Sequence, residues 1–227
     1  MDVYKLEIAC FNYQSALIAQ QGGADRIELC SNMAEGGTTP DLKTLEDALR
    51  NISIDLFTMV RPRGGDFNYS PAEFEEMKQS IIQFKKRGVK GFVTGILNSS
   101  GNIDKVRNAE LVKLAMPFPT TLHRAFDASS SDMFKAIKDA IECGFKTILT
   151  SGQRKNVVEG METLRELITY ARDRILILPG GGVRSSNIKQ LKEQLRVPYY
   201  HSSAITGSDD MADINEVGRL KEYLLII

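Results

Sequence analysis

Gly88-Val89-Lys90-Gly91-Phe92-Val93-Thr94-Gly95 and, further along, Gly144-Phe145-Lys146-Thr147-Ile148-Leu149-Thr150-Ser151-Gly152 read alike. Each is a glycine, a short apolar and β-branched run, and a polar close. Glycine takes the left-handed conformation of a helix C-terminus at little cost, so each stretch reads as the end of a helix, a turn and a buried strand. Working outward, the same unit recurs. Apolar runs of five to seven residues return about every 28 residues, each followed by a turn and a stretch with helical spacing of apolar residues. Eight strands are predicted: Val3 to Ala9, Arg26 to Cys30, Asp55 to Arg61, Gly91 to Leu97, Thr120 to Phe126, Thr147 to Ser151, Arg174 to Pro179 and Tyr199 to Ala204. Asn12 suits an N-cap, Ser70-Pro71 with Glu73 suits a capped helix start, and Gly23 precedes strand 2 as Gly88 and Gly144 precede strands 4 and 6. The alternation runs from end to end without a linker or low-complexity stretch. It predicts an α/β fold, a (β/α)8 TIM barrel, as a single domain over residues 1–227. A doubly wound open sheet is the alternative and would need one pair of units to be misread.

Composition narrows the function. The 227 residues carry 29 Lys+Arg against 29 Asp+Glu, with no block of like charge, so the broad attraction used in sequence-independent nucleic-acid binding is missing. No apolar run approaches the roughly 20 residues of a membrane helix. The start carries Asp2 and Glu7 in place of a basic-then-apolar leader, and three Cys fit a reducing compartment better than a disulfide framework. A cytoplasmic protein is expected, with no nucleic-acid or membrane partner. Self-association into a homo-oligomer is compatible with the sequence, but nothing marks an interface.

In a barrel of this kind chemistry sits at the C-terminal ends of the strands. Polar residues collect there. Glu28-Leu29-Cys30-Ser31 closes strand 2, Arg61-Pro62-Arg63-Gly64-Gly65-Asp66 strand 3, and His123-Arg124-Ala125-Phe126-Asp127 strand 5. Thr150-Ser151-Gly152, Gly180-Gly181-Gly182-Val183-Arg184 and His201-Ser202-Ser203 close the last three strands, so both histidines of the chain fall on this rim.

These residues, with Leu6-Glu7, Gly22-Gly23-Ala24-Asp25-Arg26-Ile27-Glu28-Leu29-Cys30, Glu35-Gly36-Gly37-Thr38-Thr39-Pro40, Met59-Val60-Arg61-Pro62-Arg63-Gly64-Gly65-Asp66-Phe67 and Leu149-Thr150-Ser151-Gly152-Gln153, resemble the CutC family, named for copper homeostasis. The resemblance covers almost the whole chain. It implies a TIM barrel, a cytosolic location and a proposed role in copper handling.

Soft thiolate and thioether ligands select Cu(I), which directs attention to Cys10, Cys30 and Met33, with His123 or His201 as further donors. Cys10 and Cys30 end adjacent strands. Strand parity opposes a shared ion, because an inward Glu7 turns Cys10 to the other face while Glu28 and Cys30 point in together; a bulge after Ala9 would be needed. Plain packing is the competing reading for both, and for Cys143 on its helix it is the expected one.

Acid-base chemistry is the second constellation. Glu7 and Glu28 on neighbouring strands face Arg61, Arg63 and Arg124, an arrangement that tunes one carboxylate as a base; a buried ion network is the structural alternative. His123, with Thr121 and Ala125 on one strand face, would aim its imidazole into the mouth. The glycine-rich turn with Gly181, Gly182 and Arg184, opposite Ser202, stands where TIM barrels commonly hold a phosphate. Arg61 and Arg63 could form a further anion clamp, or instead pair with Asp66 and Asp127 to hold the rim. Two readings result: a copper-handling barrel, and an enzyme for a small anionic or phosphorylated metabolite.

Overall fold

A computed structural model describes residues 4–225, so the predicted strand start at Val3 lies outside the described residues. The strands are β1 (Lys5–Cys10), β2 (Arg26–Leu29), β3 (Asp55–Met59), β4 (Gly91–Thr94), β5 (Thr120–Leu122), β6 (Thr147–Thr150), β7 (Leu176–Pro179) and β8 (Tyr199–Ser202). Between and after them run α1 (Tyr13–Gln21), α2 (Leu42–Asn51), α3 (Pro71–Arg87), α4 (Lys105–Ala115), α5 (Met133–Cys143), α6 (Met161–Ala171), α7 (Ile188–Leu195) and α8 (Ile214–Leu225). All pairings are parallel and the sheet order is β7-β6-β5-β4-β3-β2-β1-β8. β8 also lies against β7, which brings the two ends of the sheet together as a nearly closed TIM barrel. Strands thus follow one another around the ring. A doubly wound sheet would reverse its order at a switch point, and this one does not.

Local chemistry accounts for the elements. Asn12 Oδ1 accepts from Ser15 N at 2.7 Å to start α1, and Ser70 with Glu73 forms a reciprocal capping box at Pro71. Gly88 and Gly144 end α3 and α5 with φ near +95° and +94°, where a side chain would be strained. The outer face of the strands, including Leu6, Ile8, Ile27, Leu29 and Phe92, packs under the helices in the main core. The inner face holds a separate small cluster of Cys30, Phe57, Met59 and Val93, with Phe11 against it.

Several strands end sooner than predicted. β3 stops at Met59, β4 at Thr94 and β5 at Leu122, so Val60, Ile96, Leu97, Ala125 and Phe126 are buried in the loops above the barrel and not in the ladder. An apolar residue reads the same whether a strand or a folded-over loop buries it. At the other end Arg174 belongs to a short 3-10 turn, Arg172–Arg174, ahead of β7.

Gly91 tests the inner packing. A methyl there would stand 2.5 Å from the Phe57 ring, which Arg26 backs at 4.3 Å, so Gly91→Ala is expected to cost about 1–3 kcal/mol in urea unfolding. Gly218 in α8 faces open space, and Gly218→Ala is expected to add about 0.5–1 kcal/mol.

Candidate functional site

The barrel floor carries charge. Arg26 and Glu7 are partners in the β1–β2 register, and Glu7 and His201 in the β1–β8 register, so parity turns all three inward at one level. Arg26 Nε donates to Glu7 Oε2 at 2.5 Å, and the guanidinium lies between the rings of Phe57 at 4.3 Å and Tyr199 at 4.2 Å. His201 Nδ1 donates to the other Glu7 oxygen at 2.7 Å. Its Nε2 stands 3.6 Å from Glu28 Oε2. The chain Arg26, Glu7, His201, Glu28 is buried throughout.

Above it lies a cavity of about 110 Å³ lined by Glu28, Cys30, Met59, Arg61, His123 and His201, with Phe11, Phe67 and Arg124 at its walls. Glycine makes room for both imidazoles. A methyl on Gly95 would stand 2.9 Å from His123 Nδ1, and one on Gly180 3.1 Å from His201 Cδ2. His123 Nδ1 accepts from Ala125 N at 3.2 Å, and the ring packs on Phe67 with centroids 4.9 Å apart. Glu28 Oε1, Arg61 Nε and His123 Nε2 are buried with no hydrogen-bond partner among the described residues.

The arginines divide. Arg61 donates Nη1 to Glu35 O at 2.7 Å and Gly37 O at 2.9 Å, and Nη2 to Gly65 O at 3.0 Å, tying the loops after β2 and β3 together. Arg63 turns outward to Glu73 and Asp66. Arg124 is half-exposed, with Nε on Asp127 at 2.8 Å and Nη2 on Ser151 Oγ at 2.8 Å. Its Nη1 faces Gly181, where a methyl would stand 3.1 Å away. Gly181 and Gly182 both have left-handed φ, and their amide N–H groups meet no acceptor among the described residues. Arg184 is engaged inside the loops, donating to Val183 O, Ile205 O and Ser202 Oγ, while Ser202 Oγ donates to Val183 O at 2.7 Å.

The sulfurs separate as parity predicts. Cys10 sits in the outer core beside Ile8, and Cys30 in the inner cluster facing the cavity. Met33 is exposed on the loop after β2. Cys143 is packed, as expected for its helix. No group of three or more His, Cys, Asp or Glu able to share a metal ion occurs among the described residues.

Two participants escaped the sequence reading. Arg26 alternates with Glu28 on β2, so the same parity that turned Glu28 inward could have found it. Asp127, a pairing partner in the sequence reading, also accepts from Ser151 N at 3.1 Å, Gln153 N at 3.0 Å and Thr150 Oγ1, and so orders the loop that aims Arg124.

The CutC family profile matches residues 4–206. The chain belongs to the CutC family. It is 40% identical over 206 residues to the copper homeostasis protein cutC homolog of Homo sapiens, covering 91% of this chain and 75% of that one. It is 44% identical over 200 residues to the family protein CutC of Photorhabdus laumondii, covering 88% and 79%. A solved CutC structure from Streptococcus agalactiae superposes with a TM-score of 0.83 at 30% identity, covering 88% of this chain and 98% of that one. Phosphoribosylanthranilate isomerase from Thermotoga maritima, at 14% identity and TM-score 0.62 with 97% and 98% covered, shares the fold alone. No helix of the described CutC residues is long and apolar enough to cross a membrane.

Charge in this CutC floor is distributed unevenly. Burial would raise the Glu7 carboxyl, but Arg26 and His201 overcome it and hold it low. Glu28 has no such arginine contact; burial raises it, Glu7 adds to the rise, and His201 and Arg26 oppose only in part. Burial opposes a charged His201, yet Glu7 and Glu28 raise it above its ordinary 6.5. For His123 burial and then Arg61 act together, lowering it to about 3. Glu7 therefore stabilises the fold above its ordinary value of 4.5, and that contribution is lost as pH falls through the lowered value. For His201 the sign reverses: its contribution is complete below 6.5 and is lost as pH rises through the raised value. The chain has two histidines, so an NMR titration resolves both. One imidazole is expected to titrate above 6.5, and the other to remain neutral down to about 3. Two titrations near the ordinary value would contradict this electrostatic assignment.

Proposed function

We propose that the barrel mouth binds a small anionic molecule and transfers protons on it, with Glu28 as the base backed by His201 and Glu7. One observation carries the reading. Glu28 Oε1, Arg61 Nε and His123 Nε2 are buried and unpartnered, and all three residues line one cavity. A buried polar atom left unsatisfied costs about 1–3 kcal/mol, so three around one chamber favour a polar ligand that meets them. Arg124 Nη1 and the Gly181 and Gly182 amides, beside the mouth, suit its anionic end. Arg61 serves as a wall that carries charge, while Arg63, Arg184 and Ser202 brace the rim. The test is thermal unfolding with inorganic phosphate and a panel of three- and four-carbon phosphates and carboxylates. A ligand at 100 times its Kd is expected to add about 2.7 kcal/mol. Arg124→Ala should reduce that gain sharply and Arg63→Ala should leave it. Equal binding by wild type and Arg124→Ala would overturn this anion site.

A second reading places Cu(I), as cargo, at Cys30. The copper homeostasis names of the relatives support it, and so does one contact. The point where a methyl on Gly37 would sit is 3.4 Å from Cys30 Sγ and 3.6 Å from Met59 Cε, so a thiol and a thioether side chain flank the same spot. Such a pair suits Cu(I), whereas Cys10 lies behind the strand and Met33 outside the cavity. Burial, followed by the charge of Glu28, raises the Cys30 thiol, so binding would release its proton. A Cu(I) competition titration is expected to give one equivalent that is lost in Cys30→Ser and kept in Cys10→Ser. Retention in Cys30→Ser would remove copper from the cavity.

A further inference from the structure

We propose that the chemistry of the mouth is enolisation of a short carbonyl compound: Glu28 removes a proton from the carbon beside the carbonyl, and His123 Nε2–H hydrogen-bonds the oxygen that becomes the enolate. This rests on reading the mouth as a small-anion site and adds the reaction and the substrate class.

Geometry sets the role of His123. Ala125 N donates to Nδ1, so the neutral ring carries its proton on Nε2. Nε2 is the buried, unpartnered atom, on a residue that lines the cavity. Gly95 and Phe67 confine the ring. With the Nδ1 lone pair taken and Nε2 protonated, His123 can donate but cannot accept a proton. That replaces the general acid-base role expected from the sequence. Its low affinity for a second proton agrees with this.

The base lies across the chamber. Glu28 is on β2 and His123 follows β5, three strands away around an eight-stranded ring, so they approach from facing walls. A carboxylate facing a neutral N–H donor suits a substrate in which a C–H bond breaks while charge develops on a neighbouring oxygen. The C–H electron pair forms the carbon–carbon double bond, the carbonyl π pair moves to oxygen, and the proton rests on Glu28. In D2O the Glu28 carboxyl exchanges that proton for a solvent deuteron: delivery to the same carbon gives C–D, and delivery to the former carbonyl carbon, with the enediolate hydroxyl proton passing to the neighbouring oxygen, gives isomerisation, with no oxidant or co-reactant. A cavity of about 110 Å³ accepts roughly four to six heavy atoms, which suits the carbonyl end of the substrate with a phosphate group left at the mouth beside Arg124 and the Gly181 and Gly182 amides. With the anionic end at Arg124, the class is a short 2-oxo acid or a phosphorylated α-hydroxycarbonyl compound.

The experiment follows C–H to C–D exchange of pyruvate and of dihydroxyacetone phosphate in D2O by proton NMR. Binding of glycolohydroxamate, an enediolate mimic, is followed alongside through the His123 imidazole resonance. Wild type is expected to exchange one probe and to shift that resonance. Glu28→Gln, nearly isosteric, is expected to lose about 10²–10⁴-fold in exchange while still binding the mimic. His123→Phe should lose exchange as well. Binding of the mimic without exchange by wild type overturns enolisation and leaves the anion site standing, and exchange undiminished in Glu28→Gln overturns the assignment of Glu28 as the base. Failure of the mimic and of both exchange probes, together with no response to phosphate, overturns the site reading itself.

Discussion

Arg26 inside the barrel is the constraint from which the rest of the site follows. A guanidinium in that position must meet a carboxylate, because an unpaired buried charge costs several kcal/mol. Glu7 supplies it from the neighbouring strand, and Phe57 and Tyr199 close over both faces of the cation. That arrangement uses one oxygen of Glu7 and leaves the other to hold His201. It leaves Glu28, one inward position higher on β2, without an arginine of its own. Burial, with Glu7 beside it, therefore raises the Glu28 carboxyl, while Arg26 makes its ion pair with Glu7.

Upward from the floor, backbone and loops decide what the cavity can do. Gly95 and Gly180 admit the two imidazoles where any side chain would collide with them. Arg61 collects three carbonyls from the loops after β2 and β3, and Asp127 collects donors around the start of the loop after β6. The polar rim is therefore largely self-bonded. Three of the buried atoms left unpaired among the described residues, Glu28 Oε1, Arg61 Nε and His123 Nε2, belong to residues that line one chamber, and that convergence gives them functional weight.

Copper and a small anion make different demands on that chamber. A soft cation would use Cys30 and Met59 and would gain nothing from Arg61 or from an imidazole N–H. An anion uses Arg124 and the glycine amides and gains nothing from a protonated thiol. Cys30, Met59 and Arg124 all line one cavity, so the two proposals concern the same region of the barrel.

The fold was legible in the sequence because its signal is local. Alternating β-branched runs, helix caps such as Asn12 and Ser70, and end glycines such as Gly88 and Gly144 each act within a few residues. That Glu28 and Cys30 share a face, and that Cys10 lies opposite Glu7, followed from parity along single strands, while the closed ring decides which face is inward. Tertiary structure alone decided which rim residues meet. Arg63, Arg124 and Arg184 read identically in sequence, yet Glu73 draws the first outward, Asp127 and Ser151 aim the second at the glycine loop, and loop carbonyls engage the third. The tautomer of His123 likewise depends on the turn that brings Ala125 N onto Nδ1. Side-chain direction along one strand is a matter of covalent geometry, but partner choice is a competition among groups distant in sequence, and only the folded chain brings those competitors within reach.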